Sequence, residues 1–167
     1  MESAVILRTV ALHSASIHEA GHAVAARVFK IPVTCVELSP EPRILGRMRF
    51  RGGERELSLI EHAVIAFAGY AAEHLAWVTE AEALAGTAMD FKDVTALLAA
   101  TSDRGGARAF VEARTFELLR ANWPDVLLLA VHLEKRRALS SADLEPLGFY
   151  WPPAESSEIE PEWLRID

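Results

Sequence analysis

The chain has 167 residues, of which 51% are hydrophobic and 25% are charged, and its formal net charge is -7. This length supports a single domain with its own hydrophobic core, and the composition is typical of a folded protein rather than a disordered one. Because an acidic chain lacks the clustered positive charge that displaces counterions from phosphates, we expect no nucleic-acid partner.

The first predicted element is helical. Apolar residues recur at helical spacing from about Ser3 to Lys30, and Pro32 is expected to end the helix. Because Ser14 or Ser16 could begin a separate helix, this stretch forms either one long helix or two.

Two short strands are predicted next. Residues 33–38 read V-T-C-V-E-L and are rich in the β-branched side chains that favour strands. The segment S-P-E-P-R-I-L-G then combines two prolines with a glycine, which is typical of an irregular turn, and R-M-R-F at 47–50 forms the second strand.

The rest of the chain is predicted to be helical. Residues 56–78 are apolar nearly all round, which is typical of a central buried helix. Ser140–Asp143 is interpreted as an N-cap and first turn. The predicted fold class is therefore mainly α with a small β element, in a single domain over residues 1–150. Residues 151–167, rich in proline and acid, are expected to form a mobile or loosely docked tail. Further helices are expected over residues 90–100, 107–121 and 125–137.

The sequence also bears on the cellular compartment. Cys35 is the one cysteine, so no internal disulfide can form and a reducing compartment is expected. No apolar stretch approaches the roughly 18 residues of a membrane span. The apolar run from Ala4 is interrupted by Arg8 and lacks a basic start, unlike a signal peptide. We therefore expect a cytoplasmic protein without a membrane span.

A candidate metal site lies at residues 18–22, which read H-E-A-G-H. Positions i and i+4 share a helix face, so the imidazoles of His18 and His22 can point at one ion. Two imidazoles and a third protein ligand leave a coordination position for water, as in catalytic zinc sites. Glu19, rotated by about 100° on the helix, can reach that water as a general base without binding the ion.

The third ligand is open from the residues alone. The candidates are Glu73, Asp90, Asp93 and His62. Glu73 lies on an otherwise apolar helix, where a buried acid needs a partner, either as a ligand or as the support of a ligand histidine. His62 and Glu73 are too far apart along one helix to contact the same ion.

Three segments together resemble the peptidase domain of the FtsH-type ATP-dependent zinc metalloproteases. They read H-E-A-G-H-A at 18–23, A-G-Y-A-A-E at 68–73 and G-T-A-M-D-F at 86–91, in the order and spacing of that family. The segment V-E-L-S-P-E-P-R-I-L-G is also similar to the family's strand and turn. Weaker similarity continues to about Leu147, so the resemblance covers most of the chain.

The resemblance implies a zinc peptidase with a mainly α-helical fold and a zincin-like site. It makes His18, His22 and Asp90 the zinc ligands. It makes Glu19 the general base and Glu73 a supporting residue. The implied substrates are peptides or unfolded proteins. The implied partners are further copies of the chain, as a homo-oligomer, or a separate ATPase.

The chain also departs from the family pattern. Tyr70 replaces the usual arginine, and Thr87, Ala88 and Met89 replace Ala-Ser-Asn before Asp90. The sequence contains no phosphate loop of the Gly-Lys-Ser/Thr kind, so we expect that the chain does not unfold substrates with ATP by itself.

Two alternatives to a peptidase stay open. The first is a module that binds a metal or a protein partner and does not cut, which the altered residues before Asp90 favour. Glu19 argues against it, because a structural zinc usually has four protein ligands and needs no such glutamate. The second is a helical domain without metal.

If the chain is a peptidase, an extended substrate is expected to pair with the strand at residues 33–38.

Overall fold

The computed structural model of the chain describes residues 2–39, 46–50, 56–76 and 90–149. The predicted tail at residues 151–167 lies outside these ranges, as do residues 86–89 of the third motif. The elements are α1 (Glu2–Val28), β1 (Val33–Leu38), β2 (Gly46–Phe50), α2 (Leu59–Leu75), α3 (residues 90–98), α4 (Arg104–Ala121), α5 (Trp123–Arg136), β3 (Ala138–Ser140), α6 (Ser141–Leu144) and a 3-10 turn (Glu145–Leu147).

The protein is mainly α-helical with a three-stranded antiparallel sheet of order β2-β1-β3. This confirms the predicted fold class. None of the helices in the described ranges combines the length and the apolar content that crossing a bilayer requires.

The N-terminal stretch forms one continuous helix, α1, rather than two. Ser14 and Ser16 lie inside it and do not begin a new helix. The Ser16 hydroxyl donates to the Leu12 carbonyl at 2.8 Å, as serines inside helices commonly do. Both serines are buried, so this part of α1 faces the interior of the protein.

Helix α2 is the central buried helix that its apolar sequence predicts. It begins with a capping box between Ser58 and Glu61, and residues 63–69 are buried. Helices α1 and α4 both pack against it. A Cβ at Gly21 of α1 would overlap the Ala68 carbonyl of α2, so the glycine allows the two backbones to touch.

Strand β1 lies in the middle of the sheet. It pairs with β2 from Val33 to Leu38, and residues 35–37 also pair with β3. The prediction that an extended substrate pairs with this strand is therefore wrong for residues 35–37, where both sides are occupied. The prediction failed because β3 was not foreseen, since its three residues are too few to show a strand period in the sequence.

Candidate metal centre

Three side chains converge between α1 and the first residue of α3. The Nε2 atoms of His18 and His22 lie 3.1 Å apart. Asp90 Oδ2 lies 3.7 Å from His18 Nε2, and Asp90 Oδ1 lies 3.6 Å from His22 Nε2. The group is largely buried and could hold a metal ion. The structure thus brings together the three residues that the sequence suggested as ligands.

The separations of these atoms fit a small tetrahedral ion. Bonds of about 2.0–2.1 Å at tetrahedral angles place two ligand atoms about 3.3 Å apart. The two Nε2 atoms, 3.1 Å apart, are close to that value, and each lies 3.6–3.7 Å from a different oxygen of Asp90. Two imidazoles with one carboxylate are also a donor set that zinc accepts in catalytic sites.

Hydrogen bonds behind the rings select the imidazole tautomers. His22 Nδ1 lies 2.7 Å from the Ile65 carbonyl oxygen, which can only accept, so Nδ1 carries the hydrogen. His18 Nδ1 lies 3.3 Å from Glu73 Oε2 and donates to that carboxylate in the same way. In the neutral form of each ring, Nε2 therefore carries the lone pair and can face the space beside Asp90.

Glu73 lies behind His18 and not in the ligand group. It is fully buried on α2, and its carboxylate accepts from His18 Nδ1 and from the Ser14 hydroxyl. Because it contacts the ring nitrogen opposite Nε2, it holds a position that orients the imidazole. This is the place that a supporting residue would occupy.

Helix α2 forms one wall of the site at Gly69 and Tyr70. A Cβ at Gly69 would overlap the Nε2 atoms of His18 and His22, so this position needs glycine. The Tyr70 backbone N–H donates to Asp90 Oδ2 at 3.2 Å and fixes the carboxylate. The Tyr70 ring points elsewhere and packs in an aromatic cluster with neighbouring rings, namely Phe67, His74 and Phe91.

The site attracts positive charge. Burial by itself lowers the pKa of His18, but the charge of Asp90, the hydrogen bond to Glu73 and the charge of Glu19 outweigh it and raise that pKa to about 9. The pKa of His22 is raised for similar reasons, against burial and chiefly by Asp90. Burial also acts to raise the pKa of the Asp90 carboxyl, but the two histidines lower it below its ordinary value.

Glu19 is a buried carboxylate next to the ligand group but not part of it. Burial raises its pKa, and this outweighs the charges of His18 and His22, which act to lower it. A raised pKa makes this carboxylate a stronger base than an ordinary glutamate, which is the direction that a general base requires.

The remaining candidate ligands lie outside the group. Within the described ranges, the residues that could hold an ion together do not include Asp93 or His62. His13, five residues before His18, instead contacts Glu134 of α5 at 2.5 Å.

Three contacts of the site were not predicted from the sequence, namely those of Ser14, the Ile65 carbonyl and the Tyr70 backbone N–H. Ser14 was considered only as a helix start, although a serine four residues before His18 shares its helix face. The Ile65 carbonyl belongs to the backbone, so no pattern of side chains predicts its contact with His22.

Comparison with known proteins adds no relative. No family model matches the chain, and no curated protein gives a significant match. The similarity to FtsH-type peptidases therefore depends on the three motifs. In the structure, described residues from all three meet at one place: His18 from the first, Gly69 and Glu73 from the second, and Asp90 from the third.

Proposed function

We propose that this protein is a zinc-dependent peptidase that hydrolyses peptide bonds in flexible or unfolded polypeptides. The observation that carries the proposal is the convergence of His18, His22 and Asp90 with the buried carboxylate of Glu19 beside them. The orientation of the three motifs around this point also supports membership of the FtsH-type peptidases, and with it a ring of copies or a partner ATPase.

The proposal gives each residue of the site a separate role. His18, His22 and Asp90 would hold the ion. When bound, zinc would lower the pKa of a coordinated water toward about 7 and polarise the substrate carbonyl. Glu19 would accept a proton from the attacking water and pass it to the leaving amine. Burial raises the pKa of Glu19, which favours the protonated form that gives the proton to the amine.

Glu19 favours a peptidase over a module that binds metal without cutting. A structural zinc site is usually closed by four protein ligands, whereas the group within the described ranges offers three. A buried carboxylate beside such a group costs desolvation energy. A role in proton transfer accounts for its presence there, and a purely structural zinc gives no reason for it.

The test combines zinc content with cleavage of casein. Wild-type protein is expected to contain one zinc per chain and to cleave casein. Glu19→Gln is expected to keep the zinc and lose cleavage by about 10²-fold or more. Asp90→Ala is expected to lose both. Asp93→Ala, one turn along α3 and outside the ligand group, is the matched control and keeps both.

Each other outcome has a definite meaning. Zinc in the wild type without cleavage of any unfolded substrate would favour the module that binds but does not cut. Full zinc in Asp90→Ala would remove that residue from the ligand group. A wild type that takes up no zinc would leave the H-E-A-G-H segment as part of an ordinary helix.

A further inference from the structure

We propose that Ser14 is a positioning residue for the metal centre, acting through Glu73 and His18. The Ser14 side chain is buried, and its hydroxyl donates to Glu73 Oε1. The other oxygen of the same carboxylate, Oε2, accepts from His18 Nδ1 at 3.3 Å. This inference rests on the metal centre of the proposed function, and not on peptide cleavage.

The three residues form a clamp between two helices. Ser14 and His18 lie one turn apart on the same face of α1, and Glu73 reaches between them from α2. Each carboxylate oxygen thus has its own donor on α1. If the carboxylate rotated, at least one of these hydrogen bonds would break, and a fully buried oxygen has no water to replace it.

The clamp fixes the direction of a ligand. His18 Nδ1 can donate to only one direction in the ring plane, so a fixed Glu73 oxygen fixes the ring and therefore the direction of Nε2. Partners of this kind, behind a metal ligand, typically affect metal affinity by about 10–100-fold. Ser14 is one hydrogen bond further from the metal ligand than Glu73 is, so its effect on metal affinity is expected at the lower end of that range.

Ser16 supplies a matched control on the same helix. It is as deeply buried as Ser14, but its hydroxyl donates to the Leu12 carbonyl of its own helix. Replacing either serine by alanine removes one buried hydroxyl from α1. Only the replacement of Ser14 leaves an oxygen of Glu73 without its donor.

The experiment measures zinc affinity by competition with a chromophoric chelator, on proteins whose folding is checked by circular dichroism. Ser14→Ala is expected to bind zinc about 10-fold more weakly than the wild type. Ser16→Ala is expected to bind it as the wild type does. Ser14→Cys keeps the shape of the side chain with a larger atom and a weaker donor, so it is expected to lie between Ser14→Ala and the wild type. It also serves as the test if Ser14→Ala does not fold.

The outcomes separate this inference from the proposed function. Wild-type affinity in Ser14→Ala, even with a lower melting temperature, would overturn the positioning role and leave the metal centre intact. An equal loss in Ser16→Ala would also overturn it, because the effect would then be one of packing. A wild type that binds zinc but cleaves nothing would contradict the peptidase and leave this test valid. A wild type that binds no zinc would overturn both.

Discussion

At the scale of single residues, a substitution at Gly69 should abolish metal binding while the protein still folds. In Gly69→Ala the new Cβ would overlap the Nε2 atoms of both histidines, so we expect loss of zinc. The helix itself should persist, because alanine favours a helix interior over glycine by about 0.5–1 kcal/mol. Zinc content and circular dichroism of the same sample check the two parts of this prediction.

Gly105→Ala is the control for that variant. A Cβ there would lie 3.9 Å from Asp103 Oδ1, which is an ordinary van der Waals contact. This variant should therefore keep full zinc. If Gly69→Ala also kept it, the two Nε2 atoms would not be the ligand atoms.

The pH dependence of zinc binding follows from the charge of His18. Its pKa of about 9 means that the imidazole is protonated on both ring nitrogens and positively charged at pH 7 before zinc binds. A metal ligand must be neutral, so binding releases that proton and affinity rises with pH until about pH 9. We expect about one proton or more released per zinc at pH 7. Calorimetry in buffers of different ionisation enthalpy measures this number, and a value of zero would contradict it.

The two histidine ligands and Glu19 could be found from the sequence because their spacing is local. His18, Glu19 and His22 are separated by less than one helical turn or by about one turn, and helix geometry alone orients them. Ser14 and Glu73 meet only because α1 and α2 pack closely, and nothing in the local sequence states that packing. From the residues alone Asp90 was one of several candidates. The resemblance singled it out as the third ligand, and the structure places it beside both histidines.

At the scale of elements, the capping box of α6 gives a prediction about acid stability. The Asp143 carboxylate accepts a hydrogen bond from the Ser140 backbone N–H at 2.9 Å and another from the Ser140 hydroxyl, and it pairs with Arg136. These contacts lower the pKa of Asp143 below its ordinary value of 3.8. Because the pKa of Asp143 is lower in the folded than in the unfolded protein, its charge stabilises the fold at pH values above its ordinary pKa. This contribution is lost as the pH falls through the pKa of the folded state.

Asp143→Ala should therefore be less stable than the wild type at pH 7, with a difference that shrinks below about pH 4. Urea unfolding of both proteins, treated with chelator at each pH, measures this difference. A difference that stayed constant down to pH 2 would show that the Asp143 charge does not contribute.

The long periodic elements were predicted well, and strand β3 was not. Helices α1, α2, α4 and α5 each span several turns, so the apolar period is visible in the sequence. The strands β1 and β2 also lie close to the predicted positions. Strand β3 has three residues and depends on β1 for its hydrogen bonds, so its existence is a property of the folded molecule.

At the scale of the whole molecule, zinc should stabilise the fold. A ligand that binds only the folded state adds about 4 kcal/mol when its free concentration is about 1000 times its Kd. For a chain of this size, that corresponds to about 8–16 °C in Tm. We expect a chelator to lower the Tm of the wild type by this order and to leave Asp90→Ala unchanged. Identical melting of the wild type with and without chelator would contradict the metal centre.

The distance along the chain between the histidines and Asp90 has a consequence for biosynthesis. The ribosome makes the H-E-A-G-H segment before it makes α2 and Asp90. A nascent chain that ends before residue 90 carries the motif without the carboxylate that meets both histidines. The metal centre would therefore assemble only after Asp90 has been synthesised, and any activity of the proposed peptidase would be absent from the shorter nascent chain.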